Sequence, residues 1–383
     1  MIHQLVRQVR NAYKHPGSGD NVNLVRLAKQ GLPYYTRSDG FSFPPLTIYL
    51  SVNGVCNFRC KMCDLGQHNM QSSFYKNLNP VDKAELSYER IARLIDEVRE
   101  HKPLIAITTT EPLLYRPLAD VIAKATSADL ETLVTTNAFN LEPLAERLVD
   151  AGLKRLYVSL DGPPALHNDV RGVEQSFERA VAGVRKIDEL KRRKGLSYPS
   201  VRIATVVSNH NFFALEALME TIEDLPIACV TITHMNFVTR GMASEHNRLY
   251  GHIGMSSETG VSAGTDSLQV NVNTLWQQIE AVKARYPTLA RFSPDFTKDE
   301  LWRFYHHPSE FVWDTKCMVP WFVAEILSNG DLIPMTRCFN AKLGNIHDGT
   351  FDELWNGPIM RGFRQQLQTH KNFPACPRCR GML

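Results

Sequence analysis

Three cysteines stand close together early in the chain, at Cys56, Cys60 and Cys63. They follow an apolar run, Leu46–Val52, which is typical of a buried strand that leads into a loop. Iron–sulfur clusters are held by cysteine thiolates, and three thiolates on one loop can ligate three irons of a [4Fe–4S] cluster. The fourth iron then stays open to an outside ligand, which is the arrangement needed to bind and reductively cleave S-adenosylmethionine (SAM).

Two other interpretations of this loop stay open, a structural zinc site and a set of plain buried cysteines. A closed zinc site takes four nitrogen or sulfur ligands, commonly as two CxxC-like pairs. The loop offers three thiolates, so its spacing favours a cluster over a zinc ion.

A second group of cysteines lies near the end of the chain, and its members are Cys317, Cys338, Cys376 and Cys379. Between the first two, the segment Phe322–Met335 contains an Asn329-Gly330 pair, which predicts a β-hairpin. Two cysteines around a hairpin and two in a CxxC pair suit closed ligation of one further [4Fe–4S] cluster. A four-cysteine zinc site is the alternative.

Strand-like and helix-like segments alternate between the two cysteine groups. The predicted strands are Leu46–Val52, Leu104–Thr109, Glu131–Thr136, Arg155–Leu160, Ser200–Val207 and Ala228–His234. The predicted helices between them are Ser87–His101, Pro117–Thr126, Glu142–Ala151, Gln175–Lys194 and Phe213–Asp224. This alternation predicts an α/β fold with a parallel sheet and right-handed crossovers. Ligands of such sheets bind at the carboxyl ends of the strands.

The first cysteine loop, with Phe58 and Met62 between its cysteines, resembles that of the radical SAM superfamily. The resemblance implies a partial (β/α)6 TIM-like barrel, with a SAM-binding [4Fe–4S] cluster and SAM as cofactors. The implied reaction is reductive cleavage of SAM to a 5′-deoxyadenosyl radical, which abstracts a hydrogen atom from the substrate. The electron would come from an external donor such as a flavodoxin or a ferredoxin.

The resemblance implies SAM contacts after the second strand, in Thr108-Thr-Thr-Glu-Pro112, where the family usually has Gly-Gly-Glu-Pro. Glu111 matches the acidic residue of the family and is expected to pair with the SAM ammonium. The neighbouring backbone at Thr110 is expected to bind the same group. A surface turn carboxylate is the alternative for Glu111.

The segment Ser159–Gly172 resembles one in radical SAM enzymes that carry a SPASM or Twitch extension. Ser159 is therefore expected to contact SAM, and Asp161 to make a polar contact with it. Arg171 is expected to bind the SAM carboxylate, since a planar guanidinium can bind two oxygens. Capping or turn chemistry is the alternative for each residue.

The resemblance implies two further SAM contacts, and the chain also offers two catalytic candidates. The backbone of Met62 is expected against adenine, and Asn209 against the ribose. His234, at the end of the sixth strand, is a candidate that faces SAM or substrate, and a structural histidine is the alternative. Cys229 is a candidate hydrogen donor of the kind used by some radical SAM epimerases, although buried free cysteines are common as small apolar residues.

The C-terminal stretch resembles a SPASM/Twitch domain, which often has a cysteine five residues after the hairpin glycine. This chain has Met335 there, and Cys338 follows. Because a thioether is a poor iron–sulfur ligand, we predict that Cys338 is the ligand. These cysteines suffice for one auxiliary cluster. Fully ligated by protein, it would accept an electron from a substrate radical, shuttle electrons or brace the fold.

These features predict four parts: an N-terminal helical extension (1–45), the radical SAM barrel (46–240), a connecting segment (241–316) and the auxiliary cluster domain (317–383). The first part is expected to contain a helix over Met1–Lys14 and another over Val22–Gln30. In the last part, one helix is expected over Phe351–Gln368. A loop is expected over Gly254–Ser267.

Composition narrows the partners and the compartment. A net charge of +3 over 383 residues indicates no nucleic-acid partner. No apolar run has the length of a transmembrane span or of a signal-peptide core, so no integral membrane contact is expected. Eight cysteines without an export signal suggest reduced thiols in the cytoplasm.

The substrate is the least constrained prediction. The segment Cys63–Gln67 looks like radical SAM proteins of carbohydrate or natural-product pathways, which favours oxidation or epimerisation of a small polyol, sugar or aminocyclitol. The alternative is a peptide or protein side chain, although the short N-terminal part offers little for recognising a leader peptide. Two other classes stay open: a two-cluster electron-transfer protein and a zinc-bound interaction protein.

Overall fold

The computed structural model describes residues 24–79, 84–261 and 268–379, and within these ranges ten strands form one sheet. In chain order the strands are β1 (Thr47–Leu50), β2 (Leu104–Ile107), β3 (Thr132–Thr136), β4 (Arg155–Ser159), β5 (Ser200–Val207), β6 (Cys229–His234), β7 (Ala290–Ser293), β8 (Val323–Ile326), β9 (Asp331–Ile333) and β10 (Gly344–Asn345). Their order in the sheet is β10-β9-β8-β1-β2-β3-β4-β5-β6-β7.

The α-helices of the described ranges lie between these strands and after them. They are α1 (Leu24–Thr36), α2 (Ser73–Leu78), α3 (Tyr88–Val98), α4 (Leu118–Ser127), α5 (Leu141–Asp150), α6 (Pro164–Arg171), α7 (Ser176–Lys194), α8 (Leu215–Ile222), α9 (Arg240–Tyr250), α10 (Val272–Arg285), α11 (Lys298–His306), α12 (Val319–Phe322), α13 (Phe351–Trp355) and α14 (Pro358–His370). None of them is long and apolar enough to cross a membrane.

The predicted α/β class and partial barrel are confirmed, and the sheet is longer than the six predicted strands. The six strands pair in parallel and in chain order, from β1 to β6. β7 joins one edge, in parallel with β6, and β8 joins the other edge, in parallel with β1. The predicted hairpin is present as β8 and β9, which pair antiparallel. The auxiliary hairpin therefore continues the barrel sheet.

Two helix predictions differ from the structure. The single helix expected over Phe351–Gln368 is two helices, α13 and α14, because proline lacks the amide proton of a helix interior and clashes with the preceding turn. Pro358 accordingly begins a new helix, and Gly357 before it is extended. The helix expected over Val22–Gln30 begins at Leu24 among the described residues and continues to Thr36.

Some predictions fall on residues outside the described ranges. The helix expected over Met1–Lys14 is one of them, and residues 262–267 of the expected Gly254–Ser267 loop are another. The boundaries of the four predicted parts remain predictions.

The parallel strands have two faces, because successive side chains of a strand point to opposite sides. Outward residues such as Ile48 and Leu50 join the helices in the main apolar core. Inward residues form a second, smaller cluster, with Ala106, Leu133 and Tyr157 buried in it. Towards the carboxyl ends of the strands the inward side chains are half-buried, as at Thr135, Ser159, Ala204 and Val206. A ligand at this end of the sheet would therefore meet partly accessible side chains.

A buried carboxylate lies where β8 meets β1. Glu325 pairs in register with Tyr49 and, at 2% exposure, is sealed from solvent. One of its oxygens accepts a hydrogen bond from the backbone amide of Thr336 at 2.9 Å. Burial raises the pKa of Glu325 from 4.5 to about 7, against the opposing effect of the Thr336 hydrogen bonds.

We predict that Glu325→Gln makes stability less dependent on pH. Between about pH 4.5 and 7 the folded protein keeps a proton that the unfolded chain loses, so wild-type stability falls as pH rises through this window. The shift corresponds to roughly 3 kcal/mol, which is present below pH 4.5 and lost above pH 7. Glutamine stays neutral at every pH. The free energy of unfolding of the variant, relative to that of wild type, should therefore rise by up to about 3 kcal/mol from pH 5 to pH 8.

The measurement is chemical unfolding of both proteins at pH 5 and at pH 8. An equal difference between variant and wild type at the two pH values would contradict the prediction.

Candidate functional site

The loop with the first three cysteines follows β1 and is held by the end of α6. The backbone amide of Lys61 donates to the carbonyl of Val170 at 2.8 Å, and that of Arg59 donates to the carbonyl of Arg171 at 3.3 Å. Gly172 follows α6 at φ +67°, and a Cβ on it would lie 2.7 Å from the carbonyl oxygen of Arg59. The close approach of helix and loop therefore requires glycine at this position.

The three cysteines of this loop differ in exposure: Cys56 is exposed, Cys60 is buried and Cys63 is partly buried. Burial raises the pKa of the Cys60 thiol to about 11, and the charge of Arg171 opposes that rise. With this pKa the thiol is protonated near neutral pH. Because a thiol must lose its proton to bind a metal, Cys60 would release a proton when a cluster forms.

Arg171 lies against Cys60 and is paired with Asp161. Its Nη2 is 2.6 Å from Oδ2 of Asp161, and its Nη1 donates to Sγ of Cys60 at 3.8 Å. Burial alone would lower the pKa of Arg171, but Asp161 and Cys60 raise it above its ordinary value. The guanidinium therefore stays positively charged in this buried position.

The structure thus gives two predicted SAM contacts a partner within the protein. Asp161 and Arg171 bind each other, and only Nε of the guanidinium is buried without a hydrogen-bond partner among the described residues. Ser159 is half-buried at the end of β4, on the inward face. The roles of these three residues towards SAM remain predictions.

Glu111 joins the ends of β2 and β3. One carboxylate oxygen accepts from the backbone amide of Leu113 at 3.0 Å and from the hydroxyl of Thr136 at 2.6 Å. The other accepts from the backbone amide of Asn137 at 2.8 Å. Glu111 is 2% exposed, which excludes the surface-turn alternative, and burial raises its pKa. Pairing with the SAM ammonium remains a prediction.

The Thr109-Thr110 pair, which departs from the glycines of the family, is tied to the start of the cysteine loop. The hydroxyl of Thr110 donates to the backbone carbonyl of Asn53 at 2.9 Å, and the side-chain amide of Asn53 donates to the carbonyl of Glu111 at 3.1 Å. Thr109 has φ +87° and its hydroxyl is bonded to that of Ser51. A β-branched residue is strained in this conformation, which glycine adopts freely.

The two remaining predicted SAM contacts also lie near the carboxyl ends of strands. Met62 is partly buried and packs against the main core, in the loop after β1. Asn209 is half-buried in the turn after β5. Every predicted SAM contact is therefore at the end of the sheet where parallel sheets bind ligands.

The two catalytic candidates have different surroundings. Nδ1 of His234 is 2.9 Å from the hydroxyl of Tyr305, and its ring lies 5.1 Å from that of Phe296 and 5.5 Å from that of Phe304. Burial lowers the pKa of His234 to about 3, so the ring is neutral. These contacts favour the structural alternative for His234. Cys229 is buried at the amino end of β6, away from the ligand-binding ends of the strands.

The four C-terminal cysteines come together, although they are far apart in sequence. They line one cavity of about 350 Å³, part of it open to solvent, together with Met335 and the rings of Phe339, Phe363 and Phe373. The thiol of Cys338 is within hydrogen-bonding distance of Cys379, and this contact and burial raise its pKa. Burial also raises the pKa of the Cys317 thiol to about 12.

The donor set of this cavity suits an iron–sulfur cluster. Four thiols and apolar rings line it, and bound metal displaces the thiol protons. Within the described part of the chain, no three His, Cys, Asp or Glu side chains lie close enough to share one metal ion. Tetrahedral zinc would draw its sulfurs to about 3.8 Å from one another, since each Zn–S bond is about 2.3 Å. Cys338 and Cys379 already lie within hydrogen-bonding distance of each other, so the thiol spacing leaves the four-cysteine zinc alternative open.

The two cysteine groups are connected by residues that sequence reasoning missed. Asp64, next to Cys63, is buried and accepts from the backbone amide of Gly260 at 3.1 Å, and the charge of Arg337 acts on it. Asn77 in α2 donates to the carbonyl of Thr336 at 3.0 Å. The only sequence signal was the position of Asp64 directly after a cysteine.

Comparison with known proteins supports the interpretation of both cysteine groups as iron–sulfur sites. Residues 50–222 match the family model of the radical SAM superfamily, and residues 317–380 match that of an iron-sulfur cluster-binding domain, SPASM. An AdoMet-dependent heme synthase of Methanosarcina barkeri is 30% identical over 182 residues, which are 47% of this chain and 46% of the relative. A GTP 3',8-cyclase of Helicobacter pylori is 34% identical over 34% of this chain and 43% of the relative. The chain thus spans less than half of each curated relative.

Solved structures of SuiB from Streptococcus suis share the fold. The structure bound to S-adenosylmethionine has a TM-score of 0.57 and 16% identity, and covers 90% of this chain and 74% of that chain. The structure bound to the precursor peptide SuiA has a TM-score of 0.58 and 14% identity, and covers 94% of this chain and 81% of that chain.

We predict that Cys338→Ala removes the auxiliary cluster and that Met335→Leu keeps it. Both side chains line the same cavity, but only the thiol contacts another cysteine and can ligate iron. Iron in the anaerobically reconstituted protein should fall from about eight to about four atoms per chain in Cys338→Ala. Full iron in Cys338→Ala together with loss in Met335→Leu would assign the fourth position to Met335.

We also predict that Gly172→Ala lowers iron at the first cysteine group. The added methyl group would lie 2.7 Å from the carbonyl oxygen of Arg59 and push the cysteine loop away from α6. The matched control is Gly195→Ala, because Gly195 has a similar φ of +63° and open space around its Cβ. Both variants should lose roughly 1 kcal/mol to backbone strain.

Only Gly172→Ala should lose iron, by up to about four atoms per chain. Equal iron contents in the two variants would contradict a role for this close approach in holding the loop.

Proposed function

Because the chain belongs to the radical SAM superfamily and carries a C-terminal iron–sulfur SPASM domain, we propose that it oxidises or epimerises a small polyol, sugar or aminocyclitol. A [4Fe–4S] cluster held by Cys56, Cys60 and Cys63 would, with SAM, supply the 5′-deoxyadenosyl radical needed to take a hydrogen atom from an unreactive carbon. The protein binds and orients the reactants and excludes water from them. We propose an external donor such as a flavodoxin or a ferredoxin as the source of the electron.

The proposed class of substrate is supported by the chemistry of the inward side chains of the sheet. At the carboxyl ends of three strands these side chains are the hydroxyls of Thr108, Thr135 and Ser159, which are all half-buried. Hydroxyl groups both donate and accept hydrogen bonds. They therefore suit the hydroxyl groups of a neutral sugar or polyol, as well as the ribose of SAM.

We propose that Cys56, Cys60 and Cys63 hold the SAM-binding cluster. The residues proposed to surround SAM are Met62, Thr110, Glu111, Ser159, Asp161, Arg171 and Asn209. The proposed ligands of the auxiliary cluster are Cys317, Cys338, Cys376 and Cys379. Four protein ligands leave that cluster no iron for substrate, which supports a role as acceptor of the electron that the substrate radical gives up on oxidation.

A peptide or protein side chain is the second candidate substrate. SuiB, which resembles this chain in fold, is described as bound to a precursor peptide. A two-cluster electron carrier is the alternative of another class, and it requires no binding of SAM.

The test is transfer of deuterium from labelled substrates to 5′-deoxyadenosine, with anaerobically reconstituted protein, SAM and a chemical reductant. A panel of C-deuterated polyols, sugars and aminocyclitols is compared with a panel of labelled peptides, and Cys56→Ala is the control without SAM cleavage. We expect label from at least one member of the first panel, together with a ketone or an epimer as product. Label from peptides alone would replace the proposal by the peptide alternative, and absence of SAM binding would favour the electron carrier.

A further inference from the structure

Arg171 makes a contact that its expected role towards SAM does not explain. Its Nη1 reaches Sγ of Cys60 at 3.8 Å, while Nη2 is held by Asp161 at 2.6 Å. The side chain of Arg171 is 12% exposed and that of Asp161 is fully buried. A positive charge is therefore fixed beside a cysteine sulfur, in surroundings that screen it weakly.

The position of this charge is set from several sides. Oδ1 of Asp161 accepts from the backbone amide of Val206 at 2.9 Å, and its backbone carbonyl accepts from the side-chain amide of Asn211 at 2.9 Å. The backbone amide of Asp161 donates to Nδ1 of His167 at 3.1 Å. The backbone carbonyl of Arg171 accepts from Arg59 of the cysteine loop. Asp161 is therefore fixed from both sides, and its ion pair with Arg171 holds the guanidinium beside Cys60.

A charge beside a ligand sulfur acts on the redox behaviour of a cluster. Hydrogen bonds to the sulfurs and the local charge are among the factors that set the reduction potential of an iron–sulfur cluster. The reduced cluster is more negative by one charge, so a nearby cation stabilises it and raises the potential, and a nearby anion lowers it. Arg171 touches the sulfur and Asp161 lies behind it, so the cation has the larger effect.

We infer that Arg171 is a positioning residue that orients Cys60 and raises the reduction potential of the SAM-binding cluster, and that Asp161 limits the rise. The inference rests on the proposed role of Cys60 as a cluster ligand. The inferred effect of Arg171 on the cluster does not require SAM, whereas its expected binding of the SAM carboxylate does. The two roles can therefore be measured separately.

The experiment is a reductive titration of the reconstituted protein without SAM, followed by electron paramagnetic resonance, for wild type and four variants. Arg171→Gln removes the cation and should shift the potential of the SAM-binding cluster downwards. Asp161→Asn removes the anion and should shift it upwards. Arg171→Lys keeps the charge without the planar fork, so its shift should be downwards and smaller than that of Arg171→Gln.

The matched control is Lys61→Met. Lys61 forms an exposed ion pair with Asp169, at 2.6 Å, between the same loop and the same helix. Exposed charges are screened by solvent and salt, so this variant should leave the potential unchanged. A shift in Lys61→Met equal to that in Arg171→Gln would mean that any disturbance of this contact moves the potential, and would overturn the inference.

Iron content separates failure of the inference from failure of the ligand assignment. Cys60→Ala should lose the SAM-binding cluster, and full iron in this variant would remove the assignment itself. If Arg171→Gln binds full iron and its potential is unchanged, the assignment stands and the inference is wrong. If Arg171→Gln does not hold iron, Asp161→Asn and Arg171→Lys decide, since shifts of opposite sign support the inference and shifts of the same sign contradict it.

Discussion

The contact between the end of α6 and the first cysteine loop is the constraint on which the rest of this site depends. The loop has no regular secondary structure of its own, so its shape must come from groups outside it. Two backbone hydrogen bonds to Val170 and Arg171 supply part of this shape, and Gly172 permits the close approach. The same turn of helix brings the Arg171 side chain against Cys60. One short helix therefore sets both the path of the loop and the charge beside one of its sulfurs.

The ends of the next two strands are fixed by hydrogen bonds to a buried carboxylate. Glu111 has no ion pair among the described residues, and its oxygens accept from two backbone amides and one hydroxyl. A buried carboxylate without such partners is costly. Thr109 adds strain at the same point, with φ +87°. Strain of this kind costs about 1–3 kcal/mol and is kept where surrounding contacts hold the backbone in place. Here the threonine hydroxyls supply those contacts, at positions where the family has glycine.

Local pattern was enough to predict the six central strands and the helices α3, α4, α5, α7 and α8 between them, because each is a periodic apolar segment with clear ends. It did not predict α2, α6, α9, α11 or α12. Local pattern did not predict that β7 and β8 join the two edges of this six-stranded sheet, because each of them pairs with a strand that is distant in sequence. β7 comes from the connecting segment, and β8 pairs in parallel with β1 across most of the chain length. The Gly357-Pro358 pair was a local signal for the helix break, and the prediction of one helix overlooked it.

The candidate site likewise has parts that the sequence predicted and parts that it did not. Motif spacing identified the cysteines and the strand ends, because these depend on residue type and order. The partners of Arg171 were not predictable, since Asp161 is ten residues away along the chain and Cys60 is 111 away. Glu325 was missed for the same reason: its burial follows from the pairing of β8 with β1.

That pairing also determines how the two cysteine groups are related. The first group follows β1, and the second surrounds the hairpin of β8 and β9, so neighbouring strands of one sheet carry both. Asp64 and Asn77 add contacts from the first loop and from α2 to the connecting segment and to the loop before Cys338. A hydrogen-bonded sheet is stiffer than a linker between separate domains. The separation of the two cysteine groups is therefore built into the fold.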